Sequence, residues 1–157
     1  MFEKPQAEHK WLESLLGDWE QEGSCDTGPD QPATIHKSTV HATSLHGMWV
    51  ALEHTAKSPE GDGWTSIITL GYDPKQQRYV GTFIGSMMTH LWIYNGKMDD
   101  KGRLVLDAVG PKFGGEGMAN YQDIIQIVSK DEWILSSRMQ QDNGEWVDFM
   151  KATNKRV

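Results

Sequence analysis

Cysteine occurs once in 157 residues, at Cys25, which excludes an intrachain disulfide framework. Basic residues are also short, 15 against 22 acids, for a net charge of −7. The acids are scattered rather than gathered into a tail. Such a surface repels phosphate backbones and anionic lipid, so neither a nucleic-acid nor a membrane partner is expected. No apolar run approaches the ~20 residues of a membrane-spanning helix. Residues Met1 to His9 contain no apolar stretch of signal-peptide type, and the expected location is cytoplasmic. Catalytic signatures are absent as well. There is no G-x-S-x-G elbow, no HExxH, and no GK[ST] beside the glycines of Gly114–Gly117.

What is present is a globular composition, 38% hydrophobic and 24% charged, in a chain long enough to bury roughly 70% of its unfolded surface. The aromatics are skewed toward tryptophan, seven against four Phe and four Tyr, and there are eight Met. Trp11, Leu12, Leu15 and Leu16 form one apolar stripe. Together with Pro5 they predict a short helix over about 5–16. Gly17 suits the position just past its end, where positive φ favours glycine.

From Asp18 onward the texture changes to short β-prone runs separated by turn signals. The runs are Trp19–Ser24, Thr34–Thr43, Met48–Thr55, Trp64–Tyr72, Arg78–Met87, Thr89–Tyr94, Leu104–Val109, Ala119–Val128, Trp133–Gln140 and Trp146–Thr153. Loops are expected at Asp26–Pro32, Ser58–Gly63, Asp73–Gln77 and Asn95–Gly102. Pro111–Gly117 is a further loop and a candidate lid. Hairpin-length connections imply antiparallel neighbours, and a sheet this long closes or folds on itself. The expected fold is all-β, an antiparallel up-and-down barrel of about ten strands in one domain over 1–157. A β-sandwich is the alternative.

Alternation then suggests which faces could be lined. In Arg78–Met87, Tyr79, Gly81, Phe83, Gly85 and Met87 share a face, with glycines that permit coiling and leave room. In Thr89–Tyr94, His90, Trp92 and Tyr94 share a face. That set suits a ligand pocket, a wet outer face or a dimer contact. Met87 and Met88 together break the alternation and mark a bulge or tight connection. Flexible Met beside Trp can repack around varied apolar ligands. Tyr121 is a further candidate for the lining. Arg138 would clamp a carboxylate if it pointed inward, but it shares a face with Ile134, Ser136 and Gln140, where solvent is the commoner neighbour.

His36, His41, His46 and His54 fall close together at spacings of five, five and eight. None of these matches a zinc pattern, and odd spacing alternates faces along a strand, so no metal site is expected. Cys25 has no local basic partner to activate it.

The stretch Glu8-His-Lys-Trp-Leu-Glu-Ser-Leu-Leu-Gly-Asp-Trp-Glu resembles the opening of a bacterial family of unknown function, DUF1579, with its H-x-x-L and L-x-G-x-W elements. Leu70-Gly-Tyr-Asp-Pro and Tyr79-Val-Gly-Thr-Phe resemble its central pair of strands. Ser86-Met87 resembles its D-S-M, with Gly85 where many members carry Asp and Phe83 where Trp is common. Asn95-Gly-Lys-Met-Asp resembles its G-x-x-D turn. The Gly-x-Trp opening is similar to that of calycin-type barrels such as lipocalins, fatty-acid-binding proteins and nitrobindin-like haem proteins. The resemblance implies a calycin-like barrel with a possible interior cavity and brings no established activity. Nitrobindin-like proteins ligate haem through a histidine near the C-terminal end, whereas no histidine follows His90 here.

Three functions follow as expectations. The first is a barrel without a cofactor that binds a small apolar or aromatic molecule through Phe83, Met87, Met88, His90, Trp92 and Tyr94, with Tyr121 and Arg138 as further candidates. The second is an enzyme using His90 as acid or base. The third is a homo-oligomeric interaction module without a ligand, a homodimer being the simplest case.

Overall fold

The computed structural model describes residues 2–25, 34–58 and 61–157. A short helix, α1 (Ala7–Leu12), runs into a 3-10 turn at Glu13–Leu15. Ten strands follow: β1 (Gly17–Cys25), β2 (Thr34–Leu45), β3 (Trp49–Ser58), β4 (Gly61–Asp73), β5 (Arg78–Gly85), β6 (Trp92–Met98), β7 (Leu104–Pro111), β8 (Met118–Ser129), β9 (Glu132–Gln140) and β10 (Trp146–Arg156). Each pairs antiparallel with its neighbours in sequence, and β1 pairs with β10, so the sheet is a closed barrel. Closure decides against the sandwich. No helix among the described residues is long and apolar enough to cross a membrane.

One end of the barrel is plugged. Leu12, Leu15, Trp19 and Trp133 are among its fully buried side chains. The Trp19 indole N–H donates to the Leu15 carbonyl at 2.9 Å, its ring meets Trp133 edge-on at 6.1 Å, and the Arg156 guanidinium lies 4.1 Å over it. Gly17 takes φ +116°, which favours glycine, and a Cβ there would lie 2.5 Å from Arg156 Nη1. His9 is buried beside Tyr72, and its Nδ1 accepts the Gln6 backbone N–H at 2.8 Å.

Several expected boundaries move. The helix is shorter than 5–16. The fifth run ends at Gly85 rather than Met87, and the sixth starts at Trp92 rather than Thr89. Between them lies a tight connection, with Met88 N–H on the Gly85 carbonyl at 3.2 Å. Asn95–Met98, expected to turn, is strand. Gly96 sits opposite Leu106, whose Cδ2 would be 2.8 Å from a Cβ, so this glycine serves packing. The turn comes at Asp99, whose Oδ1 accepts the N–H groups of Lys101 and Arg103 at 2.9 and 2.8 Å. The expected loop at 26–32 lies outside the described residues.

Trp19→Ala should lower unfolding stability by about 3–5 kcal/mol, since it empties the plug and strips Arg156 of its stacking partner. Urea unfolding with an unchanged denaturant slope would confirm the loss, and a change below about 1 kcal/mol would contradict the plug.

Candidate functional site

The end of the barrel away from α1 is not filled. A cavity of about 250 Å³ remains there, with Trp64, Phe83, Trp92, Phe113 and Tyr121 among its walls. Trp92 and Tyr121 meet edge-on at 4.9 Å, and Phe113 touches both Tyr121 and Phe149, at 5.6 and 5.1 Å. Trp92 lies against the wall because β7 carries glycine opposite it; a Cβ on Gly110 would sit 2.1 Å from the Trp92 ring. Its indole N–H points at Met88 Sδ, 3.0 Å away. Phe113 and Met87 are exposed yet line the same space, which marks its opening.

Phe149 and Met150 both reach the cavity although they are consecutive. Strand alternation forbids that in a regular ladder. The register of β10 against β9 shifts between Asp148 and Met150, so Phe149 is the extra residue of a bulge. Bulges re-aim side chains in this way.

Two polar stations interrupt the apolar wall. On β8, Asp123 accepts the Tyr94 hydroxyl at Oδ2 and the Ser137 hydroxyl at Oδ1, the latter at 2.5 Å. Burial pushes the Asp123 carboxyl up, and the two hydroxyl donors pull it partly back. Asp123 is half-buried and lines the cavity. Burial also holds the Tyr94 phenol well above its ordinary range, reinforced by the neighbouring Asp123 charge.

On β3, His54 is 3% exposed and neither ring nitrogen has a hydrogen-bond partner. The Leu52 backbone favours the protonated ring slightly. Burial dominates and pushes the imidazole down to about 4. His54 is therefore neutral at pH 7. A third polar group, Gln21, is already satisfied by Asn154 and Ser38, each at 2.9 Å. His36 and Cys25 complete this side of the cavity, and burial pushes the Cys25 thiol up, away from thiolate reactivity.

Of the residues singled out by sequence, Phe83, Met87, Met88, Trp92, Tyr94 and Tyr121 line the cavity. His90 and Arg138 do not: for His90 this corrects the expected placement, and for Arg138 it is the solvent-facing outcome that its strand face made the commoner one. His90 precedes β6 and so escapes its alternation. Its Nε2 lies 3.0 Å from the Val109 carbonyl, and it borders a groove on the barrel's outer surface. Arg138 also faces outward, with Nε donating to Gln122 Oε1 at 2.7 Å and the guanidinium 5.1 Å from the Trp146 ring. Sequence reasoning passed over Asp123, His54, Ser137 and Phe149. The odd spacing of the histidines does separate faces as expected: His36 lines the cavity, while His41 sits outside on Asp18 at 2.6 Å. Among the described residues no three His, Cys, Asp or Glu side chains are placed to hold a metal ion.

A family model described as "Protein of unknown function (DUF1579)" matches residues 4–156, and the chain belongs to that family. No curated protein matches it. Among solved structures, Rv2717c from M. tuberculosis is similar at 12% identity, with TM-score 0.62, over 98% of this chain and 99% of that one. An S-type phycobiliprotein lyase, CPES, from Guillardia theta is similar at 13% identity, with TM-score 0.58, over 97% and 93%. At these identities the likeness is one of fold.

The His54 shift has a definite sign. Its folded pKa of about 4 lies below the unfolded value near 6.5, so between those values the unfolded chain binds a proton that the folded barrel refuses. Stability from this group is present above about pH 6.5 and falls as pH falls toward 4, by about 3 kcal/mol in all. Asp123, shifted up, acts in the opposite sense, so the measurement is a difference. The stability gap between His54→Leu and the unmodified protein should widen by about 3 kcal/mol from pH 7 to pH 4. A gap independent of pH would show that His54 is not held neutral.

Proposed function

We propose that this protein is a binding protein for a small, largely apolar, ring-containing molecule held in the barrel cavity, with no cofactor. The observation that carries this reading is the cavity wall itself: aromatic faces and methionines around an enclosed space, with few polar groups. Ligand sites are built in this way, as apolar concavities whose few polar atoms set orientation. Met87 and Met88 at the opening lend it adaptability, since unbranched thioether chains repack around different shapes. A cytoplasmic setting fits the lone Cys25. Catalysis by His90 loses its support, because that ring lies outside the cavity.

A second reading, self-association, is favoured by one feature of the outer surface. Leu91, Ile93, Val109 and Met118 are all more than half exposed and border the same outer groove. Exposed apolar patches of this kind mark contact surfaces. Sedimentation that shows only monomer at high micromolar concentration would remove this reading and leave the first untouched.

For the cavity, N-phenyl-1-naphthylamine is a suitable neutral fluorescent probe. It should bind saturably with one site per chain and gain emission. Ala108→Phe places a ring in the cavity and should abolish that binding while the far-UV circular dichroism stays unchanged. Binding that survives in folded Ala108→Phe, or no saturable binding by the unmodified protein, would refute the proposed function.

A further inference from the structure

We infer that the cavity selects apolar ring compounds bearing a hydroxyl or amino group and rejects the corresponding carboxylates. In this arrangement Asp123 takes the ligand's donor, and His54 holds a second polar atom across the barrel. The inference rests on the cavity-binding reading above and specifies its ligand.

Among the described residues the lining contains one carboxyl group, Asp123, and neither lysine nor arginine. A carboxylate ligand would find no permanent counter-charge among the described lining residues and would approach Asp123, and like charges in a low-dielectric site repel strongly. A donor meets the opposite situation. Asp123 receives one hydrogen bond on each oxygen, whereas a carboxylate offers about four lone-pair sites. Asp123 is only half-buried and belongs to the cavity lining. A hydroxyl pairs with Asp123 in either protonation state. An ammonium pairs with the ionised form and gains further from the faces of Trp92 and Tyr94.

His54 supplies the second contact. Around the ring β1 to β10, strands β3 and β8 are five places apart in either direction, so His54 and Asp123 stand on opposite walls. A neutral imidazole offers one donor and one acceptor; neither ring nitrogen has a partner among the described residues, and both are covered, so a ligand atom reaches them only as the adjacent lining yields. A leucine of similar size in this position would leave no buried polar atom unpaired. His54 therefore costs the empty barrel stability and returns it only when a polar ligand atom arrives.

The test uses the full chain and four matched probes in titration calorimetry: 2-naphthol, 2-naphthylmethylamine, 2-naphthoate and 2-methylnaphthalene. In the unmodified protein, the alcohol and the amine should each bind at least about tenfold tighter than 2-naphthoate. Asp123→Asn should erase most of the discrimination against 2-naphthoate. His54→Leu should raise the melting temperature of the empty protein and narrow the preference for 2-naphthol over 2-methylnaphthalene. Four equal affinities, or a preference for 2-naphthoate, would overturn the selectivity while leaving cavity binding intact. Failure of all four probes to bind would overturn both. The ranking in the unmodified protein needs no variant, so it decides the matter even if Asp123→Asn does not fold. A His54→Leu protein with an unchanged ratio of 2-naphthol to 2-methylnaphthalene affinity would overturn the part assigned to His54.

Discussion

The pairing of β1 with β10, from Trp19 opposite Arg156 to Cys25 opposite Met150, joins the first strand to the last and turns a sheet into a ring. Every other feature depends on that closure. Once the ring is shut, alternate side chains on every strand face a common interior, and a barrel wider than eight strands encloses more than its inward side chains need fill. Arg156 acts as a clasp at the seam. It stacks on Trp19, donates Nη1 to the Leu16 carbonyl at 2.9 Å, and donates Nη2 to the Lys130 carbonyl at 2.8 Å. At that end two tryptophans and several leucines fill the space. At the other end, small inward residues such as Ser66, Ala108, Ser137 and Ala152 leave it open.

The fold was largely legible because its signals are local. Ten alternating runs with turn residues between them predict ten strands in an up-and-down order, and each run overlaps an observed strand. The errors have a common physical source. Glycine serves both turns and close packing, and sequence does not distinguish the two. Asn95-Gly96 has the look of a turn, yet Gly96 is there to admit Leu106, and the turn is made instead by the carboxylate of Asp99. The same ambiguity at Gly85 hid the end of β5, where the chain tightens through Met88.

The candidate site was legible where alternation held. Phe83, Trp92, Tyr94 and Tyr121 face inward because strand periodicity puts them there. His90 fails because it precedes its strand, so a rule that counts along the strand does not reach it. Asp123 and His54 were within reach of the same rule. Asp123 lies two residues after inward Tyr121, and His54 two and four after inward Leu52 and Val50. What disguised them is residue type, because an acid and a histidine read as surface residues when their neighbours are unknown. Phe149 was beyond reach. It enters through a bulge, and bulges leave no mark on the periodicity until the partner strand is known.

The two ends of the barrel also divide stability from recognition. Native proteins are stable by only a small margin, so a neutral imidazole with no partner and a carboxyl group with no counter-ion are a real burden on a domain of this size. Neither group is needed to close the ring, because closure is completed by the plug and the Arg156 clasp at the opposite end. Gln21, Ser38 and Asn154 show that this same interior does satisfy buried polar groups where they serve the frame, in a network with bonds of 2.9 Å. Buried polar atoms without a partner occur, among the described residues, on His9, His54, Arg78 and Trp133, and His54 is the one with both ring nitrogens unpaired. His54 lines the barrel cavity, opposite Asp123, the carboxyl group among the described lining residues. The unpaired atoms of His9, Arg78 and Trp133 lie away from the cavity, so it is the position of His54 on the cavity wall, across from Asp123, that ties it to recognition.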